Sequence, residues 1–189
     1  MSILPGKFQV VDTCDSDELG VALRPLVGRA WLGLSSRNAK FHCRISHLSL
    51  GDVGLFHGEY EGGLEARFPD FNTYAGSAGP LNGTGEHKVG GSDVTVSEGR
   101  GAIMSPGSAI LRYGPGFEHL SMTLRPAALM GKLAAIIGEL RLGPLHFDPA
   151  VDGNNPQLSQ LDRLIRFIVK EVELSWPLPP ILQSNSNKR

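Results

Sequence analysis

Sixteen of the chain's 24 glycines fall between Gly51 and Gly116. A stretch so dense in glycine cannot sustain long helices, because each interior glycine costs a helix about 1 kcal/mol. It reads instead as short strands joined by tight turns at Gly62-Gly63, Asn82-Gly83, Gly90-Gly91, Pro106-Gly107 and Gly114-Pro115-Gly116. Phe41, Cys43 and Ile45 alternate with His42, Arg44 and Ser46, the two-residue period of a half-buried strand. Further candidates are Val53–Phe56, Leu64–Phe68, Asn72–Ala75, His87–Val89, Val94–Val96, Ala102–Met104, Ala109–Tyr113 and Leu120–Leu124. Strands at this spacing favour a small barrel or a two-sheet jelly roll over a parallel sheet.

Helical patterns flank this region. Asp15 with Glu18 three residues later resembles a capping box, and Pro25 is expected to end that first helix. Pro126 suits a first helical turn, Leu129, Leu133, Ile136 and Ile137 follow at helical spacing, and Gly138 is a natural stop. Asn155 and Pro156 then open a longer helix to about Leu174, closed by Pro177, Pro179 and Pro180, with a polar tail after it. In that helix Leu158, Leu161, Ile165, Ile168 and Val172 step by alternating threes and fours, an a/d seam expected to join two copies. Leu164 and Val169 widen the stripe and Phe167 lies on the far side. A stripe that wide also suits packing on the helix's own domain.

Charge and length exclude other classes. With 18 Lys and Arg against 19 Asp and Glu, the net charge is −1, and a nucleic-acid binder needs a basic face. Apolar runs such as Ala134–Ile137 are too short for a bilayer, and no signal peptide is evident at Met1–Val11. Cys14 and Cys43 suggest two reduced thiols in a cytoplasmic protein.

Five segments, in order, resemble the N-terminal effector-binding and dimerisation domain of the AraC/XylS family of bacterial transcription regulators. Thr13–Leu19 (TCDSDEL) is similar to its entry helix, and Phe41–Leu55 (FHCRISHLSLGDVGL) to its first strand pair. Val96–Pro106 (VSEGRGAIMSP) resembles a strand–turn–strand unit of its barrel. Leu124–Gly138 (LRPAALMGKLAAIIG) and Pro144–Asp152 (PLHFDPAVD) resemble its first C-terminal helix and the connector after it. The resemblance implies a mainly β, cupin-like barrel or jelly roll followed by a helix pair. It divides the chain into an N-terminal segment (1–40), the barrel (41–124), a dimerising helix pair (125–176) and a tail (177–189). The implied partners are a small organic effector and a second copy of the chain. The family's DNA-reading module needs on the order of 100 further residues. Only nine follow Pro180, so DNA is expected to be reached only through a domain this chain does not carry.

Ligand contacts are expected from the amphipathic side chains Tyr60, Tyr74, His87, Tyr113 and His119, with Trp31 available for stacking. Of six histidines, His57 and His119 with Glu59 suggest a facial triad for non-haem iron. Gly58 and Gly62-Gly63 read better as a turn there, so neither metal, cofactor nor enzymatic activity is expected. A metal-dependent cupin enzyme and a ligand-free dimerisation module remain the competing readings.

Overall fold

The computed structural model describes residues 4, 6–34, 40–77, 79–138, 143 and 145–174. A short 3-10 turn (Gly6–Phe8) leads into β1 (Gln9–Thr13), α1 (Ser16–Val27) and β2 (Trp31–Leu34). The glycine-rich region folds as β3 (Cys43–Leu50), β4 (Val53–Tyr60), β5 (Leu64–Phe71), β6 (Tyr74–Ser77) and β7 (Pro80–Asn82). It continues through β8 (Gly85–Val89), β9 (Ser92–Val96), β10 (Arg100–Met104), β11 (Gly107–Tyr113) and β12 (Phe117–Leu124). Then come α2 (Pro126–Ile137), β13 (Ala150–Asp152) and α3 (Pro156–Leu174). The proline-rich segment and polar tail read after residue 174 lie outside the described residues.

The strands form two antiparallel sheets. The larger runs β1-β3-β4-β12-β6-β10-β13, with β7 also on β12, and the smaller runs β2-β5-β11-β8-β9. They face each other without closing into a barrel, so the jelly-roll alternative holds. Glycine works where the reading placed it. Gly90 and Gly91, at φ 57° and 86°, make the two-residue turn between β8 and β9 that matches the strands' right-handed twist.

Register fixes which side chains meet. In β4 and β12 the pairs Glu59–Glu118, His57–Leu120 and Leu55–Met122 share the outer face, and Tyr60–Phe117, Gly58–His119 and Phe56–Ser121 share the inner one. The main core lies between the sheets and includes Cys43, Ile45, Phe68, Phe71 and Leu111. A second core lies on the outer face of the larger sheet, where Ile165, Val169 and Val172 of α3 pack with Leu4 over Leu48, Leu55 and Leu120.

Three local expectations are corrected. Helix α1 continues past Pro25 to Val27, because a proline in the last turn forfeits only one backbone bond. The Gly28 N–H then closes the helix on the Arg24 carbonyl at 3.1 Å. Its start is not a reciprocal box. Asp15 Oδ1 accepts from the Asp17 N–H at 2.8 Å, while Glu18 takes the Thr13 hydroxyl. Gly58 is no turn, since β4 runs straight through it and the chain reverses after Tyr60. By contrast α2 is capped by Gly138 at φ 75°, and Asn155 Oδ1 accepts from the Gln157 N–H at the start of α3, as read. No helix among the described residues is long and apolar enough to cross a membrane.

Candidate functional site

The space between the sheets holds a cavity of about 50 Å³, walled by Phe56, Tyr60, Phe68, Phe71, Tyr113 and His119. Leu23 and Val27 of α1 and Leu32 of β2 also border it. The rings are tightly interlocked: Tyr113 stacks on Phe117 at 4.4 Å, and His119 stands edge-on to Tyr113 at 5.5 Å and Tyr60 at 5.8 Å. His87 meets Tyr113 from β8 at 5.7 Å.

The two histidines are chemically unusual. His87 is 7 % exposed and His119 9 %, yet both ring nitrogens of His87 and Nε2 of His119 lack a hydrogen-bond partner among the described residues. Burial pushes His87 down to about 4. Burial, reinforced by the charges of His87 and His57, pushes His119 down to about 3. Both are therefore neutral imidazoles near pH 7, each able to donate at one nitrogen and accept at the other. Burial also raises the Tyr60 and Tyr113 hydroxyls and the Cys43 thiol, so all three stay protonated.

A different chemistry occupies the outer face. Asp12, Arg44, Glu59 and Glu118 stand in register across β1, β3, β4 and β12. Arg44 Nε donates to Asp12 at 2.9 Å and its Nη1 to Glu59 at 3.4 Å. Asp12 also pairs with His42 at 2.6 Å. The Arg44 and His42 bonds hold the Asp12 carboxyl below its usual range, and the Asp12 bond raises His42. The fully buried His57 bonds Glu118 through Nε2 at 2.9 Å and lies 3.8 Å from Glu59 through Nδ1. His57, Glu59 and Glu118 offer ligand atoms within 4.8 Å of one another, so these residues could hold a cation. Arg44 serves Oε2 of Glu59 and His57 serves Glu118, while the buried Oε1 of Glu59 has no hydrogen-bond partner among the described residues; the row reads as an ion-pair network joining four strands.

A third feature is an apolar pocket of about 190 Å³ under the first half of α3, between Leu158 and Leu161 of that helix and Tyr74, Ile103, Met122 and Phe147. Its one acidic lining residue, Asp162, is bound by Arg166 at 2.7 Å.

Comparison with known proteins decides the family. The model of the AraC-binding-like domain matches residues 25–185, most of the chain. The chain belongs to the AraC-binding-like domain family. No curated protein matches this AraC-binding-like domain. Among solved structures it is similar to the AraC-like transcriptional activator CuxR, at a TM-score of 0.50 and 12 % identity, over 86 % of this chain and 68 % of that one. At that identity the likeness speaks for the fold. It also aligns with the Clostridium difficile EutQ protein at a TM-score of 0.35 and 17 % identity, over 62 % of this chain and 95 % of that one, a likeness too weak to argue from.

In this AraC-binding-like domain the six ligand-contact candidates divide. Tyr60, His87, Tyr113 and His119 meet between the sheets. Trp31 does not join them: it sits on the edge strand β2, 59 % exposed, in a surface groove with Arg67 and Lys88. Tyr74 faces outward under the connector, where its hydroxyl accepts from the Leu145 N–H at 2.9 Å and donates to the Leu145 carbonyl at 3.0 Å. It is a fastening for that segment, and Tyr74→Phe should lower stability by about 1–2 kcal/mol in urea unfolding. An unchanged midpoint would show that the two bonds do not hold in solution.

The suspected triad of His57, Glu59 and His119 does not form. Neighbouring residues of a strand face opposite ways, so β12 brings Glu118 to His57 and turns His119 inward. The sequence reading also missed Phe56, Phe68, Phe71 and Met104 as cavity walls. Phe56 and His119 are linked only by the β4–β12 register, which no local pattern encodes.

The proposed dimer seam divides as well. Ile165 and Val172 are buried in the domain's own second core, Ile168 packs at its margin, and Leu158 and Leu161 border the apolar pocket. The apolar residues that α3 leaves to solvent are instead Leu164, 53 % exposed, and Phe167, 59 % exposed, beside Leu161. Helix α2 buries none of its residues, and its Ile136 and Ile137 are also exposed.

Proposed function

We propose that this domain is the effector-sensing and dimer-forming part of a cytoplasmic AraC-type transcription regulator, binding a small molecule rather than transforming one. The effector sits between the sheets, and DNA is contacted through a separate DNA-reading domain. The observation that carries this reading is the placement of His119, a buried polar side chain with an unpartnered nitrogen on the wall of an intersheet cavity. Ligand sites are mostly apolar with a few orienting polar groups, and this one has that composition.

The transmission route is short. His119 faces the cavity, and the next residue of β12, Leu120, faces the opposite way into the core that seats α3. A ligand that shifts β12 at His119 therefore shifts the seat of the helix. A coupling of about 1–3 kcal/mol between the two places is enough for a graded switch. Two copies meet through Leu161, Leu164 and Phe167 on the open side of α3, together with the exposed end of α2.

The cavity's size favours one alternative, a solid module that only oligomerises. At about 50 Å³ it is a third of the ~150 Å³ that accommodates benzene, so an aromatic effector has to move a flexible neighbour such as Met104. Thermal unfolding with a library of small compounds separates the readings. A hit at 100 times its Kd should stabilise the chain by about 2.7 kcal/mol. The gain should vanish in Ala66→Val, which fills the cavity wall. A library without a hit supports the solid module. The dimer is tested by sedimentation, where Leu164→Glu with Phe167→Glu should give a folded monomer. An unaltered chain that sediments as a monomer at tens of micromolar removes the dimer.

A further inference from the structure

The cavity's chemistry narrows what can occupy it. His119 Nε2 and the Tyr60 hydroxyl converge on the inner face of β4, where Gly58 leaves the backbone bare: a Cβ at Gly58 would stand 2.8 Å from the first and 2.9 Å from the second. Tyr113, Ser121 and Thr123 add hydroxyls to the wall. None of the lining residues is an Asp, Glu, Lys or Arg. The nearest acids of the same two strands, Glu59 and Glu118, belong to the opposite face.

We infer that the intersheet ligand is an uncharged molecule carrying both a hydrogen-bond donor and an acceptor, received by His119 Nε2 and the neighbouring hydroxyls against an aromatic wall. The inference rests on the reading of this cavity as the effector site and adds the class of effector. An anion buried here would meet no cation, and a cation no carboxylate, so each would lose its hydration without compensation. Protonating a histidine to receive an anion is opposed by the same burial that keeps both rings neutral. A neutral donor–acceptor group satisfies the unpartnered nitrogen and leaves no new charge unpaired.

The test uses four probes of similar shape on the full chain at neutral pH: phenol and benzamide, which are uncharged, and benzoate and benzylammonium, which are not. Calorimetry gives their affinities, and long-range proton–nitrogen NMR of the imidazoles shows where they bind without any substitution. Phenol or benzamide should bind roughly tenfold or more tightly than either charged probe and move the His119 nitrogen signals. His119→Leu should abolish that preference, and His119→Gln, which keeps a donor and an acceptor, should restore part of it. A charged probe that binds as tightly and moves His119 overturns the ligand class while leaving the site in place. Binding that leaves the His119 nitrogen signals unmoved overturns the site itself. If none of the four binds at millimolar concentration, the class is wrong, while the wider compound library still decides whether the domain senses an effector.

Discussion

Unfolding in urea is expected to become steadily easier as the pH falls from about 6.5 to about 4, the interval in which His87 and His119 protonate in the unfolded chain but not in the folded one. The unfolded state binds more protons throughout that interval, so stability rises with pH there. The stabilisation is fully present above the ordinary histidine value and is lost as the pH falls toward the folded values of about 4 and about 3. Each histidine contributes about 3 kcal/mol by pH 4, and together they approach the whole stability of an ordinary domain. His42 acts with the opposite sign: its bond to Asp12 raises it, so its contribution is present below its unfolded value and lost as the pH rises through the folded one. That pair is partly exposed, and solvent screening keeps its effect small. The depressed Asp12 carboxyl gives stability that disappears only below its ordinary value of 3.8, outside the interval. His87→Leu with His119→Phe should remove most of the slope between neutrality and pH 4, leaving the smaller parts of His47, which burial also lowers, and of Glu65, which Arg112 and Arg67 hold below its usual range. A flat profile in the unaltered chain would mean that the two rings are not buried as described.

Ile165→Asp should undock α3 without unfolding the sandwich. Ile165 is buried in the smaller core with Leu4, Leu48, Leu55 and Leu120, separate from the core between the sheets. An uncompensated carboxylate there costs about 4 kcal/mol, on top of the lost burial of Ile165 itself, which together offset most of what Ile165, Val169 and Val172 contribute at about 1.5–3 kcal/mol each. Hydrogen exchange should show α3 opening while β5, β8 and β11 stay protected. The same substitution should uncouple any ligand-induced change in dimerisation from ligand binding. Global unfolding would show instead that the two cores are one cooperative unit.

Much of the architecture was legible because it is written locally. The pair Gly90-Gly91 marks a hairpin and Gly62-Gly63 the passage from one sheet to the other, alternation marks strands, and Asn155-Pro156 and Gly138 mark helix ends. The strands β1, β2, β7 and β13 were not legible, being short and held by neighbours far along the chain: Thr13 pairs with Cys43, and Arg100 with Asp152. The site was half legible. Residue type singled out Tyr60, His87, Tyr113 and His119, but only register shows that they face one another. Register also exchanges Glu118 for His119 beside His57, because a shift of one residue along a strand moves a side chain to the other face. Trp31 looked like a stacking platform by type alone, and its edge-strand position turns it to solvent. The heptad seam of α3 was real as a periodicity. Its residues Ile165 and Val172 are taken up by the domain's own sheet, as a broad apolar stripe allows.

The most direct test of intersheet sensing is a crystal structure of the chain with the compound that raises its unfolding temperature most. The compound should lie between the sheets, with a polar atom in hydrogen-bond contact with His119 Nε2 and β12 displaced toward α3. A compound seated instead in the apolar pocket beneath α3, against Tyr74, Ile103 and Leu161, with His119 unmoved, would contradict it.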